Sequence, residues 1–184
     1  PGSVAEQTRL NHGAAMLDFV SPTASLSVGL GQGFDSLTLN ALDPSFTADV
    51  SIDGSLGDDV IDAENAGRQV TLRGGFGNDT VKGGEMADRI EGGLGDDLLM
   101  GNGGSDLFYG QDGSDSMFGG LGLDTMFAGD GNDFLYGEND ADVLYGENGD
   151  DDVRGQDGHG DRVSGGDGND ILSGGTGNDI LVGG

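Results

Sequence analysis

Gly74-Gly75-Phe76-Gly77-Asn78-Asp79-Thr80-Val81-Lys82 opens a nine-residue pattern, G-G-x-G-x-D-x-U-x with U apolar, that recurs in twelve units up to Val182 with one inserted residue. A fixed short period is read before any single residue, because each unit must bury its apolar side against its neighbours. Position six is aspartate in every unit: Asp79, Asp88, Asp97, Asp106, Asp115, Asp124, Asp133, Asp142, Asp151, Asp161, Asp170 and Asp179. Position eight is apolar in every unit: Val81, Ile90, Leu99, Phe108, Met117, Met126, Leu135, Leu144, Val153, Val163, Leu172 and Leu181. Six residues of each unit read as a loop and three as a short strand. The eighth side chain points inward and the seventh and ninth outward. Two units complete one turn, so loops eighteen residues apart stack in a column with the usual strand spacing of about 4.8 Å.

Stacking sets aspartates of one column about 5 Å apart, and each uncompensated pair repels by about 3 kcal/mol at an effective dielectric near 20. A divalent cation between successive loops reverses that sign. Calcium takes six to eight oxygens in tolerant geometry, which two carboxylates and loop carbonyls supply; magnesium demands a tighter octahedron and substitutes poorly. Softer metals find no cysteine here and only two histidines. Stacking predicts about ten inter-loop calcium ions. The alternative is a metal-free solenoid in which Asp and Gly merely cap turns, but it leaves the acid column uncompensated. No twelve-residue loop ends in the glutamate that an EF-hand requires.

These phased repeats resemble the RTX (repeats-in-toxin) calcium-binding nonapeptide arrays of secreted bacterial proteins. The resemblance implies an all-β fold, a right-handed parallel β-roll (a β-solenoid) with calcium between stacked loops, exported by type I secretion to the extracellular space or cell surface. On that resemblance the metal-binding positions are the twelve aspartates, Asp59 of a degenerate unit, and the loop glycines Gly74, Gly77, Gly92, Gly95, Gly110, Gly113, Gly131, Gly146, Gly149, Gly165 and Gly168.

The two columns are unequal. The column of Asp79, Asp97, Asp115, Asp133, Asp151 and Asp170 has glycine at every fourth position and polar residues at every fifth. In the other, Met86 and Asp140 replace the fourth glycine and His159-Gly160 carries the insertion. Those departures put sites beside Asp88, Asp142 and Asp161 in doubt and predict tighter, more uniform binding in the first column.

Composition agrees with a cation-binding chain. Formal net charge is −27, with 34 acidic residues against 7 basic, which disfavours nucleic acid and anionic membranes as partners. Gly is 40 of 184 residues and Leu, Ile, Val and Phe together 43, so the calcium-free array is expected to be largely unfolded. Absence of cysteine excludes disulfides and thiolate sites. No stretch is long and apolar enough to insert in a membrane, and no signal-peptide pattern opens the chain. The chain stops at Gly183-Gly184, inside a further unit, as a fragment or a matured product would.

The chain divides into three parts. Residues 1–24 form an N-terminal segment that reads as a short helix, from the capping pattern at Ser3 to Glu6, or as an edge strand. Residues 25–73 alternate through Leu26, Val28, Leu30, Leu37, Leu39, Val50 and Ile52, with a turn at Asp43-Pro44-Ser45, and contain degenerate units around Gly31 and Gly54. They read as irregular β rungs capping the roll, and residues 74–184 as the regular roll. Outward positions in mid-array carry Leu98, Met100, Phe118, Phe134 and Tyr136 on one sheet, and Leu107, Tyr109, Phe127, Val143 and Tyr145 on the other. These either stabilise a thin roll as stacked ladders or dock another domain or molecule.

No catalytic constellation is present: His12 and His159 are isolated, and neither H-E-x-x-H nor G-x-S-x-G occurs. The chain is expected not to be an enzyme. Ice binding needs a uniform Thr or Asn row, and the fifth positions are mixed. The expected function is calcium binding by a secreted roll that folds on export and serves as a structural, adhesive or self-assembling segment. Self-association would run head to tail or through the aromatic faces. The alternative is an accessory calcium-dependent module of a secreted protease, lipase or polysaccharide-modifying enzyme.

Overall fold

The structure, a computed structural model of the chain, describes residues 25–40, 42 and 47–184. The expected helix or strand in residues 1–24 and the turn at 43–45 lie outside the described residues. Among the described residues there is no helix. The first of two sheets holds, in spatial order, β1 (Leu26–Gln32), β3 (Val50–Leu56), β5 (Thr71–Phe76), β7 (Arg89–Leu94), β9 (Leu107–Asp112), β11 (Thr125–Asp130), β13 (Val143–Asn148), β15 (Arg162–Asp167) and β17 (Ile180–Val182). The second holds β2 (Ser36–Thr38), β4 (Val60–Asp62), β6 (Thr80–Lys82), β8 (Leu98–Gly103), β10 (Ser116–Leu121), β12 (Phe134–Asn139), β14 (Asp152–Asp157) and β16 (Ile171–Ser173). Every pairing is parallel, between strands two apart in sequence. The chain therefore winds from sheet to sheet as a parallel β-solenoid, the fold that the period predicts.

Register follows from the repeat. Phe108 lies opposite Ile90 on one side and Met126 on the other, and Met117 lies between Leu99 and Leu135. Ten of the twelve position-eight side chains, Val81 through Val163, are fully buried. Each contributes about 1.5–3 kcal/mol by leaving water. Leu172 is half-buried and Leu181 exposed, because β16 and β17 are each paired on one side only. The alternating residues of 25–53 form β1, β2 and the start of β3, and Leu26, Val28, Leu30 and Ile52 join the core.

One local expectation differs. From β7 to β15 the strands are six residues long rather than three, running through positions seven, eight, nine, one, two and three. Pairing persists because position two turns the backbone without leaving the ladder: Gly93, at φ 130°, still pairs with Gly75 and Gln111. Outside the roll, Tyr109, Phe127 and Tyr145 stack at 5.4 and 5.0 Å, and Phe118 on Tyr136 at 5.2 Å. Arg89 lies 4.4 Å over the Tyr109 ring and closes that stack. These outward rings are half-buried by one another.

Candidate metal centre

The loops that join the first sheet to the second form one edge of the solenoid, and the return loops form the other. In the first edge a single hydrogen-bonding rule repeats at every step. The backbone N–H of the position-six aspartate donates to Oδ1 of the position-six aspartate one turn on: Asp59 to Asp79 at 2.7 Å, Asp79 to Asp97 at 2.7 Å, Asp97 to Asp115 at 2.8 Å, Asp115 to Asp133 at 2.7 Å, Asp133 to Asp151 at 2.9 Å and Asp151 to Asp170 at 3.1 Å. In the second edge the same rule links Asp88, Asp106, Asp124, Asp142, Asp161 and Asp179 at 2.7 to 3.1 Å. The sequence-predicted aspartates are thus brought together as two continuous columns.

In ten of these aspartates only half of the carboxylate is satisfied. Oδ2 of Asp59, Asp79, Asp97, Asp106, Asp115, Asp124, Asp133, Asp142, Asp151 and Asp161 is buried and has no hydrogen-bond partner, as is Oδ2 of Asp35. A buried, unpaired anionic oxygen is among the most costly groups a protein can carry. Burial pushes the carboxyls of Asp97, Asp106, Asp133 and Asp142 up to about 7, and those of Asp59, Asp115 and Asp124 to about 6. The donated backbone N–H opposes that rise, and neighbouring aspartates add to it.

The glycines explain the spacing. A methyl on Gly92 would collide with Asp97 Oδ2 and lie 2.9 Å from the Gly110 carbonyl of the next turn. The same collision with the loop's own aspartate recurs at Gly74, Gly110, Gly146 and Gly165. Oδ2 and a backbone carbonyl therefore close on one point, which a side chain would fill. The fourth-position glycines sit against the fourth-position carbonyl of the preceding turn, as Gly95 does against Gly77. Among the described residues, no three Asp, Glu or His side chains converge as a metal cluster. An ion between loops must therefore draw on backbone oxygens, and the tolerant, oxygen-rich shell of calcium fits that donor set. When bound, calcium supplies the positive charge that the Oδ2 rows lack.

The columns differ in a second ladder. In the first edge, the position-five side chains Asp58, Asn78, Asp96, Ser114, Asn132 and Asp150 each accept the position-five N–H of the following turn at 2.8 to 3.3 Å. In the second edge, Ala87, Leu123 and Ala141 hold that position and have no acceptor; a single link, Leu123 N–H to Ser105 Oγ at 3.1 Å, replaces the row. Sequence reasoning identified the uneven fifth positions but not this ladder. It also left Asp35 out of the site, although Asp35 N–H donates to Asp59 Oδ1 at 2.8 Å and heads the first column. Its unit was legible, but the step to Asp59 is 24 residues and hides it from an eighteen-residue period.

A family model described as the RTX calcium-binding nonapeptide repeat, in four copies, matches residues 47–66, 71–99, 91–126, 118–153, 127–160 and 155–184. A comparison with curated proteins gave no match.

Proposed function

Because the chain belongs to the RTX calcium-binding nonapeptide repeat family, we propose that it is a calcium-triggered roll that folds outside the cell and serves as a structural, adhesive or self-assembling extracellular segment, acting by binding rather than by catalysis. The observation that carries this reading is the row of buried Oδ2 atoms without partners. Folding brings them together and a divalent cation is needed to hold them there. Calcium is scarce inside cells and abundant outside, so the unfolded acidic chain passes an export channel and folds beyond it. Binding restricted to the folded state stabilises that state by mass action.

The residues divide the work. The Asp Oδ1 atoms and backbone N–H groups fix the stacking register, the position-one and position-four glycines keep side chains out of the inter-loop space, and Oδ2 with loop carbonyls faces the ion. About ten ions follow from the stacking, each between successive loops. The aromatic rows stack on themselves, which favours a stiffening role for them over docking. The test is a calcium titration read by far-ultraviolet circular dichroism and light scattering, with magnesium as control. A cooperative coil-to-β transition with calcium alone supports the trigger, and growth in scattering supports self-assembly. A β-rich chain in chelator at neutral pH refutes the trigger.

A further inference from the structure

We infer that the two rows of cation sites are offset along the roll: the first begins at Asp35, ahead of the regular array, and the second begins at Asp106, because Asp88 is closed by the protein itself. This rests on the calcium-binding reading above and fixes where it starts and stops in this chain.

The first loop, residues 30–35, repeats the stacking of its neighbours although the family match begins at residue 47. Gly33 N–H donates to Leu56 O at 2.8 Å, as Gly77 N–H does to Leu94 O. Asp35 N–H donates to Asp59 Oδ1 at 2.8 Å, and Val60 N–H to Asp35 O at 2.9 Å. Gly31 and Gly33 take φ of 115° and 103°, matching Gly75 at 118° and Gly77 at 122°. The independent sign of a ligand is the chemistry left over. Asp35 is 9% exposed and Asp59 1%, and Oδ2 of each is buried without a partner. Leu30 fills position one in place of glycine and joins the core, so this first gap lacks one open flank but keeps its carboxylates.

Loop 83–88 keeps the stacking bonds, Asp88 N–H to Asp106 Oδ1 at 2.7 Å and Leu107 N–H to Asp88 O at 2.9 Å, but departs in its turn conformation and in its carboxylate. None of its residues has positive φ, whereas the next loop in that column has Asn102 at 70° and Gly104 at 112°. Met86 stands where a left-handed glycine would be, and the backbone takes another path. Gly84 N–H is thereby aimed at Asp88 Oδ2 at 2.7 Å, while Val70 N–H reaches Oδ1 at 2.8 Å. Asp88 is as buried as its neighbours, yet neither of its oxygens lacks a partner. Above it, Val70, Val50 and Leu26 occupy the aspartate position as buried apolar residues. The early part of this edge needs no cation. By contrast, Asp140 keeps the left-handed turn at φ 76°, and Asp142 Oδ2 remains unpartnered. The site beside Asp142 therefore persists despite the lost glycine.

The experiment counts bound calcium by native mass spectrometry on the full chain and on Asp35→Asn, Asp88→Asn and Asp115→Asn, with circular dichroism to select folded protein. Loss of at least one ion from Asp35→Asn, none from Asp88→Asn and at least one from Asp115→Asn is expected. A full count in folded Asp35→Asn, or a reduced count in folded Asp88→Asn, overturns the offset while Asp115→Asn still loses ions. If the wild type binds no calcium, or Asp115→Asn loses none, the calcium reading fails instead. Should Asp35→Asn not fold, Asp35→Ser takes its place under the same criterion. For Asp88→Asn, which sets an amide NH2 against Gly84 N–H, a lower urea midpoint at an unchanged ion count is expected.

Discussion

Replacing Asp115 by asparagine should change stability in opposite directions with and without calcium. Asp115 is fully buried, its Oδ1 accepts Asp97 N–H at 2.8 Å, and its Oδ2 has no partner. Asparagine keeps the Oδ1 acceptor and removes the charge. Burial, opposed by the Asp97 hydrogen bond and aided by Asp96, holds the Asp115 carboxyl at about 6 against 3.8. Two pKa units are worth about 3 kcal/mol, which is the order of the penalty that the calcium-free roll carries at pH 7.5 and asparagine relieves. In calcium the same change removes a ligand. An ion at a hundredfold excess over its dissociation constant stabilises the folded state by about 2.7 kcal/mol, and that contribution is lost. The assay is urea unfolding by circular dichroism at pH 7.5, once in calcium and once in chelator with trimethylamine oxide to keep the calcium-free roll folded. The midpoint should fall in calcium and rise in chelator. A fall in both arms would refute the claim that Oδ2 is a metal ligand held at an energetic cost.

The pH dependence of the calcium-free roll should run opposite to that of most acidic proteins. Asp97, Asp106, Asp133 and Asp142 titrate at about 7 in the fold against 3.8 outside it. The folded state then binds more protons between those values, and stability falls as pH rises through the window. Urea midpoints in chelator and osmolyte at pH 5 and 7.5 check this: the higher midpoint belongs at pH 5. In a thermal melt in calcium, Gly113→Ala should cost about 2 kcal/mol or more, since φ there is 133° and a methyl would meet the Gly95 carbonyl; Gln111→Gly, at φ 85°, should be neutral or stabilising in the same melt. Phe127→Ala breaks the stack between Tyr109 and Tyr145 and should cost about 1–3 kcal/mol, with the calcium count by mass spectrometry unchanged.

Much of the fold was legible because a period of nine imposes the same environment at the same position each time. Position eight can only be core if two units make one turn, and the register of Phe108 between Ile90 and Met126 follows. What stayed hidden depends on backbone path rather than residue type. Positions one to three read as loop because they are rich in glycine, yet they stay in the parallel ladder. Asp88 and Asp106 share a position, but only the turn conformation at Met86 shows that one carboxylate is closed and the other open. Asp35 lay in a recognisable unit, but its longer step to Asp59 set it outside the regular spacing.

The same atoms explain why register and ion binding cannot be separated. Each aspartate spends Oδ1 on the preceding turn's backbone, and this pins Oδ2 in a dry space from which rotation would break the ladder bond. A side chain with one polar arm could fix the register or face an ion, but not both. Asparagine retains the first role and serine has only one oxygen, whereas aspartate supplies a structural acceptor and a charge from one planar group. The columns therefore hold their register through hydrogen bonds from backbone N–H groups to one carboxylate oxygen, while leaving a row of negative charge that these bonds alone do not neutralise. On the calcium-binding reading, stability depends on the external ion turn by turn, except at Asp88, where Gly84 N–H supplies the missing donor.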